Sequence, residues 1–347
     1  MFDWENNESN YTQLDGIYGV LAKETLEADI PNDEKGQVLQ KIQHLSTVKT
    51  NIMVAGATGA GKSSTINALF RINTNVSDAD EQYADVAPIG VGAMPETTGI
   101  QKYELGNLVL WDTPGLGDGY DSDVTHTREI VAKLSELTDE SKPLIDLVLV
   151  VLDASCKDLG TSYRLINDVI LPALHGDGNR IVVALNQADI AMRGGFHWNY
   201  ETNQPDATLE TFLKEKLNSI HARILAETGV EVCPIYYCAG FREEGKPQMN
   251  PYNLTKLLYY IVRQVPADKR LAFIDNLSED ADAWKDDDRE DDYKGKTFRS
   301  IGEAISETSE AGAAIGKDIL GWPGWLVGKI AGGVCGFFLG VVDKLLA

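Results

Sequence analysis

Gly56-Ala57-Thr58-Gly59-Ala60-Gly61-Lys62-Ser63 fits the pattern G-x-x-x-x-G-K-[ST]. Glycines at positions 56, 59 and 61 let the chain turn sharply. Successive N–H groups of the loop, those of Ala57 and Ala60 among them, can then face phosphate oxygens. The helix expected to start here adds the positive end of its dipole, with Ser64 in its first turn. Lys62 is the group expected to reach the β- and γ-phosphates, and the Ser63 hydroxyl is a candidate Mg²⁺ ligand.

Further along, the apolar run Leu108–Trp111 ends in Asp112-Thr113-Pro114-Gly115. A carboxylate at a strand end can hold Mg²⁺ through its water shell, which makes Asp112 the second candidate metal residue. Gly115 can offer its N–H to a γ-phosphate with no side chain in the way. Between the two elements lies Pro95-Glu96-Thr97-Thr98-Gly99. A threonine here can ligate the metal by its hydroxyl and sense the γ-phosphate by its backbone. Thr98 is the expected residue and Thr97 the alternative.

After the apolar run Ile181–Leu185 comes Asn186-Gln187-Ala188-Asp189. Asp189 can accept hydrogen bonds from both N1–H and the exocyclic amine of guanine. Adenine lacks that arrangement, and a buried carboxylate left unpaired is costly. Asn186 would brace the loops around the base, and the stem of Gln187 would cover the purine face. A later run, Val232–Tyr237, ends in Cys238-Ala239-Gly240, where the small Ala239 would bring its N–H to the guanine carbonyl.

The elements that must position these residues alternate along the chain. Apolar runs at Asn51–Ala55, Leu108–Trp111, Leu147–Leu152, Ile181–Leu185 and Val232–Tyr237 read as strands. Amphipathic stretches near 62–70, 126–139, 160–174, 207–227 and 252–264 read as helices. The alternation predicts an α/β fold with a mostly parallel sheet flanked by helices. Residues 1–48 form a predicted N-terminal helical extension, with Asn32 or Asp33 as cap and Val38, Ile42 and Leu45 on one face. A nucleotide-binding domain is expected over 49–266, and an acidic linker with a Gly-rich helical tail over 267–347. The carboxylates between Asp275 and Asp292 read as a solvated linker or exposed face, or as an acidic binding segment.

In the tail, Gly312, Gly316, Gly324, Gly328, Gly332, Gly336 and Gly340 share one four-residue register. Such a row suits close helix packing, including that of membrane helices. The apolar stretch Ile330–Val342 is shorter than the about 20 residues a span needs. Membrane contact by the tail and a tail folded against the main domain both follow from this pattern.

Composition limits the alternatives. With 53 acidic and 31 basic residues the net charge is −22, which repels nucleic-acid phosphates, so no sequence-specific nucleic acid is expected as a partner. Cys156, Cys233, Cys238 and Cys335 form no CxxC pair and read as free thiols. The acidic start MFDWENNESN is unlike a signal peptide, so a cytoplasmic location is expected, with peripheral membrane contact if the tail binds lipid.

Taken in order, GATGAGKS, Thr98, DTPG, NQAD and CAG resemble the five G motifs of translation-factor-type GTPases. The chain is similar to their Era-like branch, notably to bacterial members that resemble immunity-related GTPases. The resemblance spans roughly residues 49–266. It implies a Ras-like P-loop GTPase domain, GTP or GDP with Mg²⁺ as ligands, and a switch that hydrolyses GTP. Lys62, Thr98 and Gly115 would then carry the reaction. Two positions depart from the pattern. Leu116 stands where Ras-type enzymes place a catalytic glutamine, and Gly59 stands where potassium-activated relatives place an asparagine. The departures imply slow intrinsic turnover, stimulated by a homodimer formed through the G domain or by another partner. The alternative is a nucleotide-dependent, membrane-associated or assembly module with marginal hydrolysis. The aromatic segment 193–200 reads as a cover for the nucleotide, a dimer contact or a plain surface loop.

Overall fold

The structure is a computed structural model that describes residues 14–27, 31–70, 86–87, 99–117, 119–192, 196–241, 246, 248–278 and 280–307. Among the described residues two helices come first, α1 (Gly16–Glu27) and α2 (Asn32–Thr47). Pro31 precedes α2 with no side-chain cap bond, so neither Asn32 nor Asp33 serves as the cap. The helix starts at a proline, whose φ is preset and whose missing N–H costs a helix start nothing. Val38, Ile42 and Leu45 are buried as their spacing predicts. The N-terminus of α1 is held from the far end of the chain, because Ile17 N donates to both carboxylate oxygens of Asp275, at 3.1 and 3.0 Å. A carboxylate there complements the positive end of the helix.

The central layer comprises β1 (Thr50–Gly56), β2 (Gln101–Leu105), β3 (Leu108–Asp112), β4 (Leu147–Asp153), β5 (Ile181–Asn186) and a short β8 (Ile235–Tyr236). Among the described residues they form one sheet in the order β2-β3-β1-β4-β5-β8, parallel except for the antiparallel β2–β3 edge. Two-residue strands β6 (Trp198–Asn199) and β7 (Gln204–Pro205) make a separate hairpin. The helices are α3 (Lys62–Leu69), α4 (Tyr120–Leu134), α5 (Gly160–Arg164), α6 (Ala207–Thr228), α7 (Leu254–Gln264) and α8 (Tyr293–Glu307). A π-helical stretch, Leu165–Ile170, and a last turn, Leu171–Ala173, continue α5. This is the mostly parallel, helix-flanked α/β arrangement expected from the alternation.

Strand side chains alternate between two apolar layers, as a period of two requires. In β4, Leu147, Leu149 and Val151 join the layer under α1, α2, α3 and α7, while Val148, Val150 and Leu152 join the layer under α4, α5 and α6. Both faces are covered, so the parallel strands are apolar throughout. Each such Val or Leu contributes about 1.5–3 kcal/mol relative to exposure.

Three expectations are adjusted. The helix expected near 126–139 runs over Tyr120–Leu134, because Asp121 and Asp123 favour a start there. The strand expected over Val232–Tyr237 keeps only Ile235–Tyr236. Residues 275–292 are solvated only in part: Asp282, Arg289, Glu290, Asp291 and Asp292 are exposed, while Asp286, Asp287 and Asp288 are partly buried. Beyond Pro266, Leu271, Ala272 and Phe273 enter the same apolar layer as the N-terminal helices. The carboxylates that follow are bound: Asp286 to Asn203, Asp287 to Thr255, and Asp288 to Lys256. Glu290 pairs with Lys256 and Lys214. No described helix is long and apolar enough to cross a membrane, and the glycine register from Gly312 onward lies outside the described residues.

Candidate nucleotide-binding site

The glycine loop leaves the end of β1 and enters α3 at Lys62. Gly61 sits at φ 86°, in the left-handed region, and a Cβ there would lie 2.3 Å from Asn186 Nδ2. Both the backbone and the close neighbour therefore demand glycine. No side-chain cap occupies the start of α3, which leaves its first-turn N–H groups for an anion. Lys62 is buried, and its Nζ donates to the carbonyls of Ala57 at 3.1 Å and Gly56 at 3.4 Å. Its charge is thus held over the loop.

The Ser63 hydroxyl donates to Asp112 Oδ2 at 3.0 Å. Asp112 is fully buried, and its Oδ1 has no hydrogen-bond partner among the described residues. Burial raises its pKa, opposed by the Lys62 charge and the Ser63 hydrogen bond. A buried carboxylate with a spare oxygen beside a hydroxyl is a donor set suited to a hard divalent cation. Ser63 and Asp112 therefore fit Mg²⁺.

After Asp112 the chain runs along the glycine loop. Thr113 binds Val54 O through its N–H and its hydroxyl. Leu116 O accepts from Thr58 N at 3.0 Å, and Leu116 N donates to Gly56 O at 3.4 Å. Gly115 packs so closely that an added Cβ would lie 2.3 Å from Thr58 Oγ1. Its carbonyl is 3.1 Å from His126 Nδ1 on α4, a contact that no sequence spacing announced. The Leu116 side chain points into the apolar layer of Ile130 and Leu134 and away from water.

Asn186, at the end of β5, joins the two ends of the site. Its Nδ2 donates to Ala60 O at 3.0 Å and its Oδ1 accepts from Ala239 N at 2.9 Å. The Ala239 N–H, expected to face a guanine carbonyl, is thus engaged by Asn186. Gln187 adopts φ 62° and donates its Nε2 to Gly59 O at 2.8 Å, so it lies over the glycine loop. Asp189 Oδ1 accepts from the Cys238 thiol at 3.1 Å. Burial and the neighbouring Asp189 push the Cys238 thiol well above its ordinary pKa, so it stays a neutral donor. Beneath the site, Tyr237 and Thr65 share a 2.6 Å hydrogen bond that ties the residue after β8 to α3.

The structure thus brings Gly56, Ala57, Gly59, Ala60, Gly61, Lys62, Ser63, Ser64, Asp112, Gly115, Asn186, Gln187, Asp189, Cys238 and Ala239 to the loops at the carboxyl ends of the strands or to the start of α3. Thr97 and Thr98 lie outside the described residues, as do Arg193, Gly194 and Gly195. In the aromatic segment Trp198 is buried edge-on against Tyr252, with centroids 5.2 Å apart, while Phe196 and Tyr200 are exposed.

Fold and site together define an α/β protein whose first described strand ends in a glycine loop of the phosphate-binding pattern. Comparison with known proteins agrees in part of the chain. The model of the interferon-inducible GTPase (IIGP) family matches residues 22–129. Interferon-gamma-inducible GTPase 10 of Mus musculus is 32% identical over 108 residues, covering 28% of this chain and 24% of that protein. YkfA of Escherichia coli (strain K12) is 26% identical over 167 residues, covering 47% of this chain and 50% of that protein. The chain therefore spans half or less of these relatives. Toc33 from Arabidopsis thaliana in complex with Mg²⁺ and GMPPNP superposes with a TM-score of 0.37 at 14% identity, covering 64% of this chain and 90% of that one.

Proposed function

We propose that this protein is a guanine-nucleotide switch that binds GTP or GDP with Mg²⁺ and hydrolyses the β–γ phosphoanhydride of GTP slowly. The observation that carries the reading is the bridge made by Asn186. It bonds at once to the glycine loop and to the loop that faces Asp189, which supports reading the phosphate and base ends as one site. The local matches to interferon-inducible GTPases support it.

Lys62 would place a positive charge on the β- and γ-phosphates, and loop N–H groups would hold their oxygens. Asp189 would read the guanine edge, with Gln187 over the purine face. Ser63 and Asp112, and Thr98 or Thr97, would hold Mg²⁺, which when bound neutralises charge developing on the phosphates. Gly115 would sense the γ-phosphate by its N–H, and the loop after it would relay the state of the site to α4.

A second reading, a nucleotide-dependent assembly or membrane-associated module with marginal hydrolysis, is favoured by the buried Leu116. That position offers nothing to orient a water. Dimerisation through the G domain, or a partner, would then supply the missing group. The setting would be the cytoplasm, with peripheral membrane contact through the Gly-rich segment.

Titration of full-length protein with fluorescent GDP and ADP, joined to single-turnover GTP hydrolysis over a range of protein concentrations, tests both readings. The switch predicts selective GDP binding and slow hydrolysis that quickens with concentration. Selective binding without hydrolysis at any concentration points to the module. Equal affinity for GDP and ADP ends both.

A further inference from the structure

The loop that faces Asp189 turns on Gly240, at φ 72°. A peptide that precedes a positive-φ glycine can turn over between two common turn types, exchanging the directions of its C=O and N–H. Here the two directions are chemically unequal. Gly240 N–H points at the Cys238 sulfur at 3.3 Å, and that thiol donates to Asp189. Turned over, the same peptide would set the Ala239 carbonyl against the Cys238 sulfur, lone pair to lone pair, and disturb the thiol that donates to Asp189.

One side chain opposes the turn. Gln248 Nε2 donates to Ala239 O at 2.5 Å. Gln248 is only 6% exposed, and its Oε1 has no hydrogen-bond partner among the described residues. Burying a glutamine forfeits rotamer freedom, and leaving one of its polar atoms unmatched adds to that cost. Packing alone would be better served by Leu or Met. The backbone brings the residue into place through paired contacts Cys238–Tyr252 and Phe241–Met249. The fit is close, since a Cβ on Gly240 would lie 2.1 Å from Met249 O.

We propose that Gln248 is a positioning residue for purine selection. By holding the Ala239 carbonyl it fixes the 239–240 peptide with its N–H toward the Cys238–Asp189 pair. It thereby keeps Asp189 aimed at the 2-amino group and N1–H of guanine. This rests on the guanine-nucleotide reading above.

The test compares GDP, inosine diphosphate (which lacks the 2-amino group) and ADP, competed against fluorescent GDP on the full chain. The parent is set beside Gln248→Met, which keeps the volume and removes the donor. Gln248→Glu, polar but unable to donate, carries the same comparison should the first variant unfold. The expected result is a fall of about tenfold in GDP affinity, the worth of about one hydrogen bond. Inosine diphosphate, which keeps N1–H but has no 2-amino group, should lose less than GDP, so that the GDP-to-inosine-diphosphate ratio falls toward one. An equal loss for all nucleotides, or an unchanged ratio, overturns the proposal alone. A parent that does not prefer GDP to ADP overturns the guanine reading and this proposal with it.

Discussion

The Ser63 hydroxyl donates to Asp112 Oδ2 across 3.0 Å, joining the first turn of α3 to the end of β3. If the pair holds Mg²⁺, removing the hydroxyl should weaken the metal without disturbing the phosphate cradle. Ser63→Ala is expected to bind GDP about 10–100-fold more weakly than the parent in Mg²⁺, the range typical of disturbed metal sites. In excess chelator the two should bind alike. Fluorescent-GDP titration with and without Mg²⁺ makes the comparison. A variant whose affinity responds to Mg²⁺ as strongly as the parent's would remove Ser63 from the metal.

Gly61 meets two constraints at once, its left-handed backbone and the nearby Asn186 amide. Gly61→Ala is expected to lose about 1–2 kcal/mol to the backbone alone. Displacing Asn186 would also break its bond to Ala60 O and loosen the Ala239 contact. Urea denaturation should therefore show a lower midpoint, and GDP binding should fall further than stability accounts for. Gly59→Ala is the contrast, because nothing lies within 4 Å of a Cβ there. It should keep the Asn186 bridge and lose only the backbone share.

Much of this arrangement is legible in the sequence, for physical reasons that differ by element. The runs at Asn51–Ala55 and Leu147–Leu152 are apolar because helices cover both faces of the sheet, so they stand out as unbroken stretches. β2, Gln101–Leu105, does not, since an edge strand faces water and carries Lys102 and Glu104. The glycine loop, DTPG and NQAD are readable because the chemistry proposed for them needs fixed residue types at short range. His126, Gln248 and the Thr65–Tyr237 pair act on that machinery through tertiary contacts, and no local spacing betrays them. The acidic stretch misleads because a count of carboxylates is silent about partners. Lys214 and Lys256, which bind it, lie on other helices.

Lys256 pairs with Asp288 at 2.5 Å, and both side chains are almost wholly buried. Burial alone would lower the Lys256 pKa, but Asp288 and Glu290 more than offset it and hold it above the ordinary lysine value. Lys256→Met leaves the Asp288 carboxylate buried without its cation. The expected loss is about 3–5 kcal/mol by urea denaturation. Replacing both, with Lys256→Met and Asp288→Leu, should recover most of it. A single variant within about 0.5 kcal/mol of the parent would show that the 286–290 segment detaches at little cost.

Glu290 is more exposed, and Lys214 and Lys256 together bring its carboxyl down to about 2. A lowered acid pKa stabilises the fold above its unfolded value and loses that contribution as pH falls through the folded one. Glu290→Gln should therefore melt below the parent near neutral pH, by less than about 1 kcal/mol because solvent screens the pair. The gap should hold down to about pH 5 and close as pH falls from about 4.5 toward 2. Thermal melts of both proteins over that range read it. A gap that widens on acidification would contradict the assignment.

Leu116 occupies the position after DTPG, where a glutamine would be the obvious choice for a water-orienting group. The structure argues otherwise. The side chain belongs to the apolar layer under α4, while its backbone is tied to Gly56 and Thr58 on the glycine loop. A glutamine following the same direction would bury an amide without partners, at about 1–3 kcal/mol. Leu116→Gln is thus expected to destabilise the protein and leave single-turnover GTP hydrolysis no faster. Leu116→Met, close in volume, should change stability by less than about 1.5 kcal/mol and leave hydrolysis unaltered. If Leu116→Gln instead hydrolysed GTP at least about tenfold faster, the loop after Gly115 would have to turn outward during the reaction. Leu116 would then face the phosphates in the active state.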